Sequence, residues 1–170
     1  PEFEQNQEKS IRCIYIYLQI VMKIEAEIKQ VAFENEIQKL IVNQLFTGKY
    51  VSNIIAQHLK PFGLSSQQYN VLRILRGQQQ NAISVNAIAT RMIDKMSNVS
   101  RLIDKLDDKK LIKRKINKKD RRQMDVSITK RGIKLLSEID AVEKDMQFHF
   151  SHLSIKEAEQ LNALLDKLRG

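Results

Sequence analysis

The sequence predicts a mostly helical fold that carries one small β-hairpin. Three observations lead there. Gly (5) and Pro (2) are scarce among 170 residues, while helix-favouring Leu, Ile, Lys, Gln and Glu are abundant. Apolar residues recur at three- and four-residue steps along most of the chain, the mark of helices with one buried stripe. Between Ile112 and Ile128 the period falls to two, as in strands.

The length fits one domain, or one domain with an appended element, and is enough to bury a core without disulfides or metal. Apolar residues make up 42% and charged residues 29%, the balance of an ordinary globular protein. Cys13 is the single cysteine, which excludes an intramolecular disulfide and fits a reducing, cytoplasmic setting. No stretch reaches the ~18 apolar residues of a membrane span, so no membrane partner is expected. The run Cys13 to Met22 follows Arg12, but the charged Lys23-Ile24-Glu25-Ala26-Glu27 behind it offers no small-x-small cleavage pattern. Pro1-Glu2-Phe3 looks like a cloning-site remnant and Met22 like a native start, so residues 1–21 are read as a cloning-derived or leader segment.

From Ile24 to Leu59 the pattern reads as one long helix, with Ile37, Leu40, Ile41, Leu45, Val51, Ile54, Ile55 and Leu59 on its stripe and a bend expected at Gly48. Pro61 and Gly63 stop it. Ser65, with Gln68 three residues on, forms a capping box for the next helix, whose face is Tyr69, Val71, Leu72 and Leu75. Ser84 caps a short helix from Val85 to about Met92. After a three-residue link, Ile93 to Lys95, a second helix is expected from Met96 to about Lys109, with Val99, Leu102, Ile103 and Leu106 inward. Two short helices joined by a tight turn, the second with a polar and basic outer face, follow the helix-turn-helix plan. Ile112–Ile116 and Met124–Ile128 alternate, and the polar segment 117–123 joins them as a charged hairpin tip: a wing. Thr129 caps a long helix to about Phe150, and Ser154 with Glu157 opens the last one.

The formal net charge is +9, which calls for an anionic partner. Its position is more telling than its size. Arg101 to Lys134 holds fourteen basic residues against five acids, so the whole net charge lies in one fifth of the chain. A basic excess confined to a second helix, a wing and the turn after them points to double-stranded DNA. Phosphates supply affinity and base edges supply sequence discrimination. Lys113, Lys115, Lys118 and Lys119 suit phosphate, and Lys105 lies on the same outer face. Ser97, Asn98, Ser100 and Arg101 sit at the exposed start of the second helix, where Asn and Arg can bond adenine and guanine edges. Arg121 at the tip suits a narrow minor groove. Single-stranded RNA recognition leans on stacking aromatics, and residues 84–129 contain no Phe, Tyr or Trp. The competing reading is a winged-helix module that docks an acidic protein instead of DNA.

These segments resemble the MarR family of bacterial winged-helix regulators. The resemblance is carried by Leu64-Ser65-Ser66-Gln67-Gln68-Tyr69-Asn70-Val71-Leu72, Ile88-Ala89, Asn98-Val99-Ser100-Arg101-Leu102-Ile103-Asp104-Lys105-Leu106, Leu111-Ile112-Lys113-Arg114, Asp120-Arg121-Arg122 and Ile128-Thr129-Lys130-Arg131-Gly132. It implies a homodimer on a pseudo-palindromic operator. Residues 22–60 and 133–170 would then supply dimerisation helices around a DNA-binding domain at 61–132. It further implies that Asp120 pairs with Arg122 to brace the wing, leaving Arg121 for DNA. It also implies a small-molecule effector site, for which Tyr50, His58, Phe62, Tyr69 and Arg73 are candidates, though each serves as well in a core or interface. Two departures stand out. Lys110 occupies a position where the family usually has Gly, so a positive φ there would strain the chain by about 1 kcal/mol. Asn117-Lys118 replaces a common Asp-Pro, which is expected to loosen the hairpin and add a phosphate contact.

His149 and His152 lie three apart, but no third ligand accompanies them, so no metal and no cofactor is expected. Cys13 lacks the basic or helix-N-terminal setting of a redox sensor. The chain shows no nucleophile–base arrangement, Gly-rich phosphate loop or paired carboxylates, and is read as a non-enzyme.

Overall fold

The computed structural model describes residues 23–79, 81–117 and 120–170. The leader assignment at 1–21 and the phosphate roles of Lys118 and Lys119 lie outside the described residues. The chain divides into two compact units, one ending at Tyr50 and one beginning at Val51.

In the first unit the long helix read from Ile24 is interrupted. A single turn, α1 (Ile24–Glu27), ends where Lys29 adopts φ 56°, and α2 (Glu36–Leu59) begins afterwards. The interruption falls at 28–35 and not at Gly48, because the local polar groups there form a helix start. The Asn35 side chain accepts the Gln38 N–H at 2.9 Å, and Gln38 Oε1 accepts the Glu34 N–H at 2.8 Å. Gly48 lies inside a continuous helix. Lys39 reaches back to Glu25 at 2.7 Å.

In the second unit Pro61 turns the end of α2 into one 3-10 turn (Lys60–Phe62), and Gly63 takes the left-handed conformation at φ 63°. Ser65 then opens α3 (Ser66–Gly77) through the expected capping box: its hydroxyl accepts the Gln68 N–H, and the Gln68 side chain accepts the Ser65 N–H. Strand β1 (Ile83–Ser84) follows, absent from the sequence reading. Ser84 serves twice, pairing in the sheet and capping α4 (Val85–Ala89) through the Ala87 N–H at 3.1 Å.

The second helix of the pair, α5 (Val99–Asp108), starts three residues later than the periodicity indicates, and α4 ends three residues earlier. Side chains decide this. Asp94 accepts the Met96 N–H and the Ser97 hydroxyl, both at 3.0 Å, and so holds 94–97 as a turn. Asn98 then caps α5 by accepting the Arg101 N–H at 3.1 Å.

The wing strands β2 (Ile112–Ile116) and β3 (Met124–Ile128) form as read and pair antiparallel, with Ile112 opposite Ile128 and Ile116 opposite Met124. β1 adds to the far side of β3, giving the order β1-β3-β2. Helices α6 (Lys130–Phe148) and α7 (Ile155–Arg169) close the chain, with Thr129 accepting the Gly132 N–H and Ser154–Glu157 forming the second capping box. The core gathers one face from each element: Leu72 and Leu75, Ile88 and Met92, Ile103 and Leu106, Ile112, Val126 and Leu136 are fully or almost fully buried. This packing fixes the direction of α5 and the root of the wing.

Lys110 has the positive φ, 59°, that the missing glycine implied. It closes α5 in a Schellman motif: the Leu111 N–H reaches the Leu106 carbonyl at 3.0 Å and the Lys110 N–H reaches Asp107 at 2.8 Å. Leu111 and Leu106 are both buried in the same core, the apolar setting that accompanies such a cap.

Candidate nucleic-acid interface

The burial of Val99, Ile103 and Leu106 turns the other face of α5 outward. Ser100, Arg101 and Lys105 are exposed on it. Asn98 is exposed too, with its carbonyl engaged by the Arg101 N–H, so its amide nitrogen is the group left to donate. Ser97 is half-buried and its hydroxyl donates to Asp94, so it organises the turn.

The pleat of β2 sorts the wing. Ile112, Arg114 and Ile116 share one face, and Lys113 and Lys115 point to the other and are exposed. Arg114 does not face outward for a ligand. Its guanidinium bonds Asp107 through Nε (3.0 Å) and Nη2 (2.7 Å) and Asp104 through Nη1 (2.7 Å). Those acids lie three apart on α5, so one side chain clamps α5 to the wing. The Asp107 hydrogen bonds lead the causes that raise the Arg114 pKa above its ordinary value. Sequence reading missed this clamp. Its signal was the phase of Arg114 with Ile112 and Ile116.

The wing tip departs from two expectations. Asp120 does not hold the guanidinium of Arg122: that pair is not among the ion pairs of the described residues. The Asp120 carboxylate accepts the Arg122 backbone N–H at 3.0 Å and the Gln123 side-chain amide at 2.9 Å. A short tip turns too tightly for the fork-on-fork approach, and the nearer backbone donor takes the carboxylate. Asn117, expected to loosen the hairpin, ties it. Its amide donates to both Asp125 oxygens (3.1 and 2.9 Å), its carbonyl accepts the Asp120 N–H at 3.0 Å, and its backbone N–H reaches Gln123 at 2.9 Å. Arg121 and Arg122 are both exposed.

A cavity of about 670 Å³ opens between the end of α2, α3, the 92–94 turn and α6. His58, Tyr69 and Arg73, three of the candidates for an effector site, are among the residues that line it. Phe62, which ends the 3-10 turn after α2, lines a different, smaller recess with Lys109 and Leu135. Tyr50 is exposed and is not among the residues lining either cavity; it belongs to the first unit. Asn70, Met92, Asp94, Ile139 and Val142 are among the other lining residues, and nothing in the sequence marked them for a cavity. Arg73 donates to the Tyr69 hydroxyl at 2.9 Å, and Arg76 grips Asp140 of α6 through both oxygens. Asn70 accepts the Ile93 N–H at 2.9 Å, and so joins the cavity wall to the turn before α5. His58 meets His149 edge-on at 5.7 Å between ring centres.

The fold and this surface have close counterparts. The MarR family model matches residues 64–124, from the α3 capping box through the wing tip. The transcriptional repressor MdtR of Bacillus subtilis (strain 168) is 36% identical over 107 residues, covering 62% of this chain and 68% of MdtR. This chain belongs to the MarR family. Among solved MarR-family structures, a transcription factor from Planctomyces limnophilus is 30% identical, with a TM-score of 0.62 over 79% of this chain and 98% of that one. MepR of S. aureus, solved as a DNA complex, is 31% identical, with a TM-score of 0.65 over 74% of this chain and 94% of MepR. The MarR-family match runs across the reading helix, the Arg114 clamp and the wing, the segment that holds most of the basic excess.

Proposed function

We propose that this chain is a sequence-specific, duplex-DNA-binding transcription regulator that works in the cytoplasm as a homodimer on a pseudo-palindromic operator. One observation carries the proposal: a reading helix with an exposed, polar and basic N-terminal face is clamped by Arg114 to a basic wing. The DNA complex of MepR, a relative of matching fold, supports DNA as the partner. Asn98, Ser100 and Arg101 address base edges, with Ser97 behind them. Lys105, Lys113, Lys115, Lys118 and Lys119 neutralise phosphate, and Arg121 enters the minor groove.

Dimerisation accounts for apolar surface that the chain leaves in water. Ile37, Ile41 and Leu45 in the first unit and Leu153, Ile155, Leu164 and Leu168 near the C terminus are large and exposed. A second copy would cover them.

The cavity beside Tyr69 and Arg73 is the proposed effector site, suited to a small, largely apolar compound with a polar handle. A ligand there acts by shifting the population of DNA-competent arrangements, since its wall includes Asp94 and Asn70, which set the turn before the reading helix.

Selection of genomic fragments with the purified protein tests the reading. The expected product is a set of duplexes sharing a dyad-symmetric sequence. Recovery of no sequence above random DNA at moderate salt would remove DNA as the partner and leave the basic wing to an acidic protein.

A further inference from the structure

We propose that Met96 reads the 5-methyl group of a thymine in each operator half-site, an assignment that rests on the duplex-binding reading above. Met96 lies two residues before the Asn98 cap of α5 and is 93% exposed. Isolated apolar residues on surfaces are ordinary, but this one stands on a fixed turn. Its own N–H donates to Asp94 at 3.0 Å, and the Ser97 hydroxyl and backbone N–H both return to Asp94. Lys95 Nζ bonds the Thr90 carbonyl at 2.6 Å, and the Ile93 N–H bonds Asn70 at 2.9 Å. Several polar groups of the turn are committed to protein, and the turn presents two apolar side chains to solvent, Ile93 (87% exposed) and, nearer the start of the reading helix, the thioether of Met96.

A major-groove base-pair edge offers donors, acceptors and one apolar group, the thymine methyl. Asn98, Ser100 and Arg101 can answer the donors and acceptors but offer no comparable apolar surface. A long, polarizable side chain on a rigid base can settle on a methyl group without demanding one exact geometry. The neighbouring cations Lys95, Arg101 and Lys105 favour a phosphate-lined groove over an apolar protein partner.

The test uses the duplex recovered by selection, resynthesised with deoxyuridine in place of one symmetry-related thymine pair at a time. This change removes only the methyl. The wild-type protein should lose about fifteenfold in affinity at one such pair, about fourfold for each of the two buried methyl groups. Met96→Ala should bind the parent duplex with that same reduced affinity and show no further loss on the uridine duplex, and Met96→Leu should keep the sensitivity. Such non-additivity marks a direct contact. If no thymine methyl matters to the wild type, or if Met96→Ala retains full sensitivity, the assignment is overturned while DNA binding stands. It is equally overturned if Met96→Ala binds every duplex like the wild type and fails only in regulating transcription, which would place Met96 on a protein contact. A wild-type protein that binds no duplex would remove the functional reading itself, a result separate from all of these.

Discussion

The guanidinium of Arg114 in β2 holds the carboxylate of Asp107 in α5 through two hydrogen bonds that converge on one oxygen, Oδ2, at 3.0 and 2.7 Å. The two residues join the helix and the wing that the proposed function assigns to different features of a duplex, so the pair sets the angle between them. Both are partly exposed, which limits its worth to the upper part of the surface range, about 1 kcal/mol. Arg114→Ala is expected to lower unfolding stability by that amount, and combining it with Asp107→Asn should add little, as measured in a urea-denaturation double-mutant cycle. The pH dependence of this pair cannot come from Arg114, whose already high pKa is raised further.

Lys110 stores strain that a glycine would release. At φ 59° it pays the left-handed cost of a side-chain-bearing residue while closing the Schellman motif. Lys110→Gly should raise the urea midpoint by the equivalent of about 0.5–1 kcal/mol with an unchanged m-value. An unchanged or lower midpoint would show that the Lys110 side chain contributes something the cap geometry does not.

Gly132 has the opposite character. Its Cα packs so closely under the start of β2 that an added Cβ would collide with the Leu111 carbonyl oxygen and come within 2.8 Å of Ile128 Cγ1. The colliding atom is backbone, which cannot rotate away. Gly132→Ala should therefore destabilise by about 2–3 kcal/mol, seen as a clear fall in Tm.

Much of this architecture could be read from local sequence, and these residues show why. Both capping boxes, Ser65–Gln68 and Ser154–Glu157, depend only on residues three apart. The Lys110 strain was visible because one position lacked the glycine its resemblance called for. What escaped depends on long-range approach. β1 is two residues long and exists because β3 lies beside it. The interruption before α2 and the late start of α5 follow from Asn35 and Asp94, whose side chains compete with the helix for backbone N–H groups. The cavity wall joins Asn70, Met92 and Val142, which nothing in their own neighbourhoods associates. Arg114 was legible as charge but not as a clamp, because its acids lie on another element.

The link from cavity to reading helix runs through Asn70. Its side chain accepts the Ile93 N–H at 2.9 Å, so Asn70→Ala leaves that donor without its protein partner. The expected result is a stability loss of about 1 kcal/mol together with weaker duplex binding, by fluorescence anisotropy, larger than that of a surface control such as Lys130→Ala. Equal binding would show that the turn is held by Asp94 alone.

The C-terminal helix carries a pH-dependent cap. The Ser154 hydroxyl and backbone hydrogen bonds lower the Glu157 pKa. A lowered acid pKa contributes fully above the ordinary glutamate range and is lost as pH falls through the folded value. Amide-exchange protection at the start of α7 should hold from neutral pH to about pH 5 and decline below about pH 4. Glu157→Gln should flatten that dependence.

The central claim, that the α5 face and the wing read duplex DNA, is tested most directly by affinity for the selected operator and for random duplex across a salt series. The predicted result is operator preference of about a thousandfold or more, with affinity falling linearly in log–log form as salt rises. Arg101→Ala should collapse the preference, while Lys115→Ala should weaken both duplexes alike and make the salt slope shallower by about two, one for each protomer. Equal affinity for operator and random duplex at every salt concentration, unaffected by Arg101→Ala, would contradict the account.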